Sequence, residues 1–393
     1  MRKSPHNVAT LKNSNRAQIL ECVRRGPISR IDISRQTGIS KPSVTLLTGE
    51  MIGEGLLCET GLSARSAGPG RTSILIDLNG GYAFAVGVAL HRRRISVCLT
   101  DIKTQCLTCR QAPVGDFADA DTVLDWAERT VSGEIARLGL SAASCVGIGI
   151  SSPGPLSYRD GTILEPPGLP LFHRYPLVER FRQRFSCPVY LENNAVTLSM
   201  TDFYRRGGIS GNSLFVVVDN GIGSTLLQDG RVFRGAQGFA GELGHISVDP
   251  DGDRCSCGNR GCLEQYASLS ALRARFGFDR YEGVVEAALS GNTAARGVLD
   301  HLAAYMGTAL VSAANLYDPD TVVLYGEYAY KAEVLTGRLE EYIRRHSLVC
   351  RVHPVTVLPS VLTAEASYVS AVIPALNAFF AQDHREEEKG AHQ

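Results

Sequence analysis

The 393-residue chain carries no net charge, with 40 basic residues against 40 acidic ones, and it has a single tryptophan, Trp126. No run approaches the roughly 18 apolar residues that a membrane span needs, and the opening MRKSPHNVATLKNSNRAQ contains no apolar leader core. These absences predict a chain with no membrane partner and a cytoplasmic location. At 44% hydrophobic and 20% charged residues, the composition excludes a disordered tail or a fibre and leaves room for two or three cores. Cysteine is not scarce. Of the 11 cysteines, eight lie scattered among apolar neighbours, where a free thiol behaves as a small hydrophobe, and three are clustered.

The zero net charge hides an asymmetry. Residues 1–75 hold 11 Lys and Arg against 5 Asp and Glu, so the remainder is acidic by the same amount. A basic amino end is compatible with nucleic acid, but by charge alone it is more often a solvated surface. Pattern separates the two. NRAQILECVRRG places Ile19, Leu20 and Val23 at helical spacing before Gly26; SRIDISRQTG opens on the capping Ser29 and closes on Gly38; SKPSVTLLTGEMIGEGLL opens on Ser40. Three short helices with a glycine turn between the last two predict a helix-turn-helix. The amino end of its third helix enters the major groove, which makes Ser40, Lys41, Ser43 and Thr45 the candidate DNA contacts and points Val44, Leu47 and Ile52 inward. LLCETGLSARSAGPGRTSILIDL then reads as two strands around a wing loop, with Arg65 and Arg71 placed for phosphate or minor groove. A small helical protein-binding module is the alternative on these residues.

Beyond GYAFAVGVAL the chain alternates apolar runs with amphipathic ones. FAVGVAL, RISVCLTDI, CVGIGIS, PVYLENN, SLFVVVDNGIGSTLL and TVVLYGE read as buried strands, and DADTVLDWAERTVSGEIARLG as a helix carrying Trp126 into a core. This predicts an α/β region of two lobes with a cleft. The three clustered cysteines stand in CSCGNRGC: with His245, the thiols Cys255, Cys257 and Cys262 offer one imidazole and three thiolates within 18 residues, a set suited to tetrahedral Zn²⁺. Four protein ligands leave no position for water, so the expected site is closed and structural. Reduced core thiols or a disulfide are the competing explanation.

VGIGISSPGPLSYRDGTILEPPGLP, PVYLENNAVTL, NGIGSTLLQDGRVFRGAQGFAGELGHISVDP and CSCGNRGCLEQYAS together resemble the ROK family of sugar kinases and sugar-responsive repressors. The resemblance implies an N-terminal winged helix-turn-helix followed by a two-lobed α/β actin-like (ROK/sugar-kinase) fold, in the repressor branch. The implied boundaries are 1–78 for the DNA-binding domain, 79–194 with a carboxy-terminal helix at about 365–382 for the small lobe, 195–364 for the effector and zinc lobe, and 383–393 for a disordered tail. It implies that Asn193, Asn194, Glu242, His245 and Glu264 grip a sugar through its hydroxyls, chemistry for which carboxylates and amides are well suited. It also implies a homodimer or homotetramer on double-stranded operator DNA.

What the family's kinases possess is missing here. Their general base is an aspartate where this chain has Asn194, and a carboxamide cannot accept the hydroxyl proton. Their first phosphate turn, Asp-x-Gly-Gly-Thr, is matched by ALHRRR, with Ala89 at the aspartate and His91, Arg92 and Arg93 at Gly-Gly-Thr. In the second turn Asp219 and Asn220 stand for Gly-Thr and Ser224 for a glycine; in the third, Tyr325 and Glu327 intrude; and Gly168 stands where an asparagine commonly precedes Leu-Pro. The expectation is a sugar sensor without phosphoryl transfer, the alternative an active sugar kinase with an appended DNA-binding domain.

Overall fold

The structure is a computed structural model that describes residues 6–64 and 73–381. It divides into two compact units: one runs to Thr197 and takes in Tyr204–Gly207 and the segment from Glu365, and the other comprises Leu198–Phe203 and Gly208–Ala364.

The first unit opens with α1 (His6–Arg24), β1 (Ile28–Ser29), α2 (Arg30–Thr37), α3 (Lys41–Gly53), β2 (Leu57–Ala64) and β3 (Ser73–Leu78). Helix α1 starts at His6, well before Asn15, because the polar turns ahead of Ile19 have no apolar stripe to announce them. Helix α2 starts where the Ser29 hydroxyl accepts the Asp32 N–H at 3.1 Å and stops at Gly38, which takes φ 73°. Helix α3 starts at Ser40, whose hydroxyl accepts the Ser43 N–H at 3.3 Å, with Pro42 in its first turn. The strands form an antiparallel sheet in the order β1-β3-β2. The loop with Arg65 and Arg71 lies outside the described residues.

Next come β4 (Phe84–Leu90), β5 (Arg94–Asp101), β6 (Cys106–Pro113), α4 (Ala120–Arg137), β7 (Cys145–Ser152), the short β8 (Leu156–Ser157) and β9 (Thr162–Ile163), α5 (Leu177–Arg184), β10 (Val189–Asn193) and α6 (Asn194–Arg205). Five of these strands make a sheet in the order β10-β7-β4-β5-β6, with β4, β7 and β10 parallel and the β4-β5-β6 edge antiparallel. Strand β6 carries polar residues on both faces because it closes the sheet edge, and for the same reason Cys106 is exposed, not buried as a small hydrophobe. Trp126 packs from α4 onto this core beside Phe117.

The second unit holds β11 (Asn212–Val218), β12 (Ile222–Gln228), β13 (Arg231–Val232), α7 (Glu264–Ala267), α8 (Leu269–Phe276), α9 (Tyr281–Leu289), α10 (Thr293–Tyr317), β14 (Thr321–Gly326), α11 (Glu333–His346) and β15 (Thr356–Pro359). The apolar run SLFVVVDNGIGSTLL is therefore not one strand. It folds back at Asp219–Gly221 into the β11-β12 hairpin, inside a sheet ordered β13-β12-β11-β14-β15. Val216 and Leu324 of that sheet share a core with Leu302, Met306 and Leu310 of α10.

The carboxy-terminal segment belongs to the first unit and is not the single helix expected at 365–382. It runs as α12 (Ala364–Val369), a 3₁₀ turn at Ser370–Val372 and α13 (Ile373–Ala381). The turn passes directly over β7, where a Cβ added to Gly149 would lie 2.0 Å from the Ala371 carbonyl oxygen, so only glycine admits it. Val372, Leu376 and Phe380 then join Ile19, Val23, Val44, Leu47 and Ile76 in one core. At the end of α1 the Arg24 guanidinium sits 4.0 Å from the Tyr204 ring of α6 and 4.5 Å from the Phe380 ring of α13. It donates to Asn377 Oδ1 at 2.8 Å and lies 3.7 Å from Glu21, whose carboxylate accepts the Tyr204 hydroxyl at 3.3 Å.

Candidate functional site

The basic module spends most of its charge internally. Each of the five acids of residues 1–75 holds a cation: Glu21 faces Arg24 and Arg25, Asp32 faces Arg35, Glu50 faces Lys12, Glu54 faces Arg16, and Glu59 faces Arg30. Lys41 is the exposed cation left at the amino end of α3, among the described residues. Ser40 and Thr45 are exposed beside it, while Ser43 is half-buried and its hydroxyl meets that of Ser40 at 2.8 Å, so Ser43 serves the cap. The Thr45 hydroxyl donates to the Lys41 carbonyl at 2.9 Å. Val44, Leu47, Thr48 and Met51 face inward as helical spacing requires, and Ile52 is half-buried against the same core. Sequence reasoning passed over Leu46, which is 63% exposed on the Thr45 side of the helix; its offset from the inward Val44 and Leu47 was the available signal.

The second unit brings the four metal-ligand candidates together. Ligand atoms of His245, Cys255, Cys257 and Cys262 all lie within 4.8 Å of one another. Cys255 Sγ is 3.7 Å from His245 Nδ1, and the sulfurs of Cys257 and Cys262 are 3.6 Å apart. An ion bonded to sulfur at about 2.3 Å in tetrahedral geometry separates its ligands by about 3.8 Å, so the side chains already have the required spacing. The loop is closed by backbone bonds, Cys255 N–H to Asn259 O at 2.9 Å and Val248 N–H to Gly261 O at 2.8 Å. Gly261, at φ 65°, approaches Asp249 so closely that a Cβ would lie 1.6 Å from its carbonyl oxygen. Burial, then the adjacent thiols, push Cys262 up to about 12, so a bound cation would have to displace its proton.

Three of the sugar-site candidates surround this loop. Glu264 opens α7 with Oε1 3.4 Å from Cys255 Sγ and 3.9 Å from His245 Nδ1. Glu242 lies close enough to both for charge to be felt: desolvation raises its carboxyl above the usual range, His245 opposes and Glu264 reinforces the rise, although the side chain as a whole is exposed. With Nδ1 turned to the sulfurs, the other nitrogen of His245 is the one left for a further partner. Asn193 and Asn194 belong to the first unit. Asn193 Oδ1 accepts the Ala195 N–H at 2.8 Å, capping α6. Asn194 is the first residue of α6, half-buried.

The residues expected at the phosphate turns lie on strands, hairpins and a 3₁₀ turn of the two units. Ala89 is buried within β4, opposite Ser96. The hairpin after it is closed by His91 N–H to Arg94 O at 2.8 Å, with Arg92 and Arg93 exposed at its tip and Arg92 lying against Gly168. The Ser224 hydroxyl is committed to the Gly241 carbonyl at 2.8 Å, and Tyr325 stacks on Phe215. Glu327 turns to α9, accepting the Tyr281 N–H at 3.3 Å and pairing with Arg280 at 3.4 Å. Among the described residues, no helix is long and apolar enough to cross a membrane.

Comparison with known proteins accords with this architecture. The profile of the ROK family matches residues 85–377. A xylose repressor of Caldicellulosiruptor bescii is 28% identical over 387 residues, 93% of this chain and 96% of its own. The transcriptional dual regulator NagC of Escherichia coli is 27% identical over 358 residues, 87% of each chain. Among solved structures, a ROK family transcriptional regulator described as a homologue of the E. coli MLC protein superposes with a TM-score of 0.76 at 24% identity, over 95% of this chain and 97% of its own. A ROK hexokinase from Thermus thermophilus superposes with a TM-score of 0.63 at 28% identity, over 74% and 97%. The regulator's likeness extends over nearly the whole chain and the hexokinase's over about three quarters of it. On the extent of the profile match and the two sheets that carry it, the chain belongs to the ROK family.

Proposed function

We propose that this chain is a sugar-responsive transcriptional regulator, a repressor of genes for carbohydrate catabolism or transport, which reads DNA with a winged helix-turn-helix and senses a sugar on a kinase-derived fold without phosphoryl transfer. The observation that carries the reading is the amino-terminal module: three helices, the second and third capped by serines, and a three-stranded sheet that share one core with a ROK unit. Helix α3 enters the major groove, with Ser40, Lys41, Ser43 and Thr45 at its leading end. Arg65 and Arg71 are assigned to the duplex backbone from their place in the sequence. Two half-sites a turn of duplex apart require a homodimer or homotetramer.

His245, Cys255, Cys257 and Cys262 hold a structural Zn²⁺, whose contribution is to rigidify the loop that presents Glu242, His245 and Glu264. These residues, with Asn193 and Asn194, bind hydroxyls of a sugar or sugar derivative. Asn194 cannot act as a base, Ala89 supplies no carboxylate at the position of the kinases' aspartate, and Arg92, Asp219, Ser224, Tyr325 and Glu327 replace residues of the kinases' glycine-rich phosphate turns. The sugar changes operator affinity by as much as it distinguishes the DNA-competent arrangement from the other.

The test is titration of the zinc-loaded protein against duplexes recovered from a random-sequence pool, at several salt concentrations, with aldopentoses and N-acetylhexosamines then added. Salt-dependent binding that one sugar class shifts is the expected result. Failure to retain any duplex at low salt, or ADP release dependent on sugar, would sink the reading.

A further inference from the structure

The outward face of α3 is poor in the groups that read bases by paired hydrogen bonds. Lys41, Pro42, Thr45, Leu46 and Gly49 form its exposed stripe, without an arginine, asparagine or glutamine. Adenine is read in the major groove by two-pronged amide contacts, which this stripe cannot make, and guanine by guanidinium or ammonium groups, of which the stripe offers Lys41 alone. Its hydroxyls are partly committed already, Thr45 to the Lys41 carbonyl at 2.9 Å and Ser43 to Ser40 at 2.8 Å.

Two features of the stripe have no role in the fold. Leu46 is 63% exposed while its neighbours Val44 and Leu47 fill the core, so its side chain adds nothing to that core. Gly49 lies in the middle of the helix, where glycine weakens a helix relative to alanine, yet a Cβ there would meet nothing within 4 Å and the backbone is not in the left-handed region. Neither packing nor backbone conformation calls for glycine at this position. Its effect is to flatten the outward surface one turn beyond Thr45 and Leu46, so that the helix backbone can come close to whatever it faces.

A flat apolar stripe behind one leading ammonium fits the floor of a major groove at thymine, whose C5-methyl is the apolar group of the base edges there. We propose that α3 selects operators through thymine methyl groups, Leu46 making the apolar contact and Gly49 permitting the approach. This rests on the DNA-binding reading above.

The experiment uses the full-length zinc-loaded protein and the duplex it recovers from a random pool, prepared also with uracil in place of each thymine of the selected half-sites, which removes the methyl and keeps the pairing. The native protein should bind the uracil duplex about three- to fivefold more weakly per contacted methyl, the factor expected for one buried methyl group. Leu46→Ala should lose affinity for the thymine duplex, become indifferent to uracil and keep the native salt slope, since no phosphate contact is removed. Gly49→Ala should raise the thermal midpoint and weaken binding to the selected duplex, opposite signs that a merely structural position would not give. Uracil replacement without effect on the native protein, or a Leu46→Ala variant with native uracil sensitivity, overturns the inference while DNA binding stands. A pool from which native protein enriches no duplex overturns the DNA-binding reading and this inference with it.

Discussion

Replacing Arg24 by alanine should loosen α1 from the rest of its unit without unfolding the sheets. The guanidinium is 7% exposed and lies between two aromatic faces, 4.0 Å from Tyr204 and 4.5 Å from Phe380. A cation so stripped of water gains roughly 1–2 kcal/mol from such rings. Its hydrogen bond to Asn377, at 2.8 Å, is of the charged kind, worth about 1.5–3 kcal/mol when one partner is removed. The Glu21 pair at 3.7 Å adds little, because that carboxylate is 39% exposed and screened. These contacts overlap and do not add, so the expected net loss is about 2–4 kcal/mol. At about 1.4 kcal/mol per decade, amide exchange in the last turns of α1 should speed up by roughly thirty- to several-hundredfold. Arg24→Lys keeps the charge and loses the planar stack, and should fall between the two. Hydrogen exchange measured by peptide is the appropriate assay, since a chain of two units does not unfold in one step. Unchanged α1 protection in Arg24→Ala would refute the reasoning, as would a loss spread evenly over β4, β5 and β7.

Cys257→Ser should cost the bound metal, measured by elemental analysis of freshly purified protein, and with it effector binding, because Glu242, His245 and Glu264 share the loop; a zinc-free native protein would refute the site. Glu242→Ala should raise the sugar concentration needed for a response by roughly ten- to a hundredfold, from the loss of a hydrogen bond to a charged group worth about 1.5–3 kcal/mol, with DNA affinity in the absence of sugar unchanged by titration. Asn194→Asp should not turn over ATP in a coupled ADP-release assay, since Ala89, Arg92, Asp219 and Tyr325 stay in place. Glu134 is held at about 2 by Arg137, then Thr108 and Arg110. Its folded value lies below the ordinary 4.5, so its stabilising effect is complete above that value and is lost as pH falls from there towards about 2. Glu134→Gln should flatten that part of an acid-unfolding curve followed by circular dichroism.

Local signals were legible in the sequence and distant ones were not. Ser29, Gly38 and Ser40 mark the helix ends because a cap is a short-range contact between residues three or four apart. The metal quartet is legible for a similar reason, three of its ligands lying within eight residues and the fourth on the adjoining turn. Strand β6 escaped because an edge strand has no buried face to make its pattern apolar. The β11-β12 hairpin is legible only at its turn, because Asp219–Gly221 interrupts an otherwise continuous apolar run for only three residues. In the carboxy-terminal segment the helix breaks where the Ala371 carbonyl lies against Gly149, a contact between residues far apart in the chain. The cluster of Arg24, Tyr204, Asn377 and Phe380 is legible from none of its members, each an ordinary helical residue in its own segment.

The core beneath α1, α2 and α3 is closed by Val372, Leu376 and Phe380, residues from the other end of the chain. During synthesis, at about 5–20 residues per second, these appear roughly 17–70 s after α1 has left the ribosome. Until then Ile19, Val23 and Leu47 lack the part of their core that Val372, Leu376 and Phe380 supply, and the Arg24 side chain has neither the Phe380 ring nor the Asn377 amide. A nascent or prematurely terminated chain thus carries α3 on an incomplete module, one that chaperones or proteases can engage before any duplex does. The same arithmetic applies to a fragment cut at residue 78, which would carry the whole reading helix and leave bare the apolar surface that α13 covers.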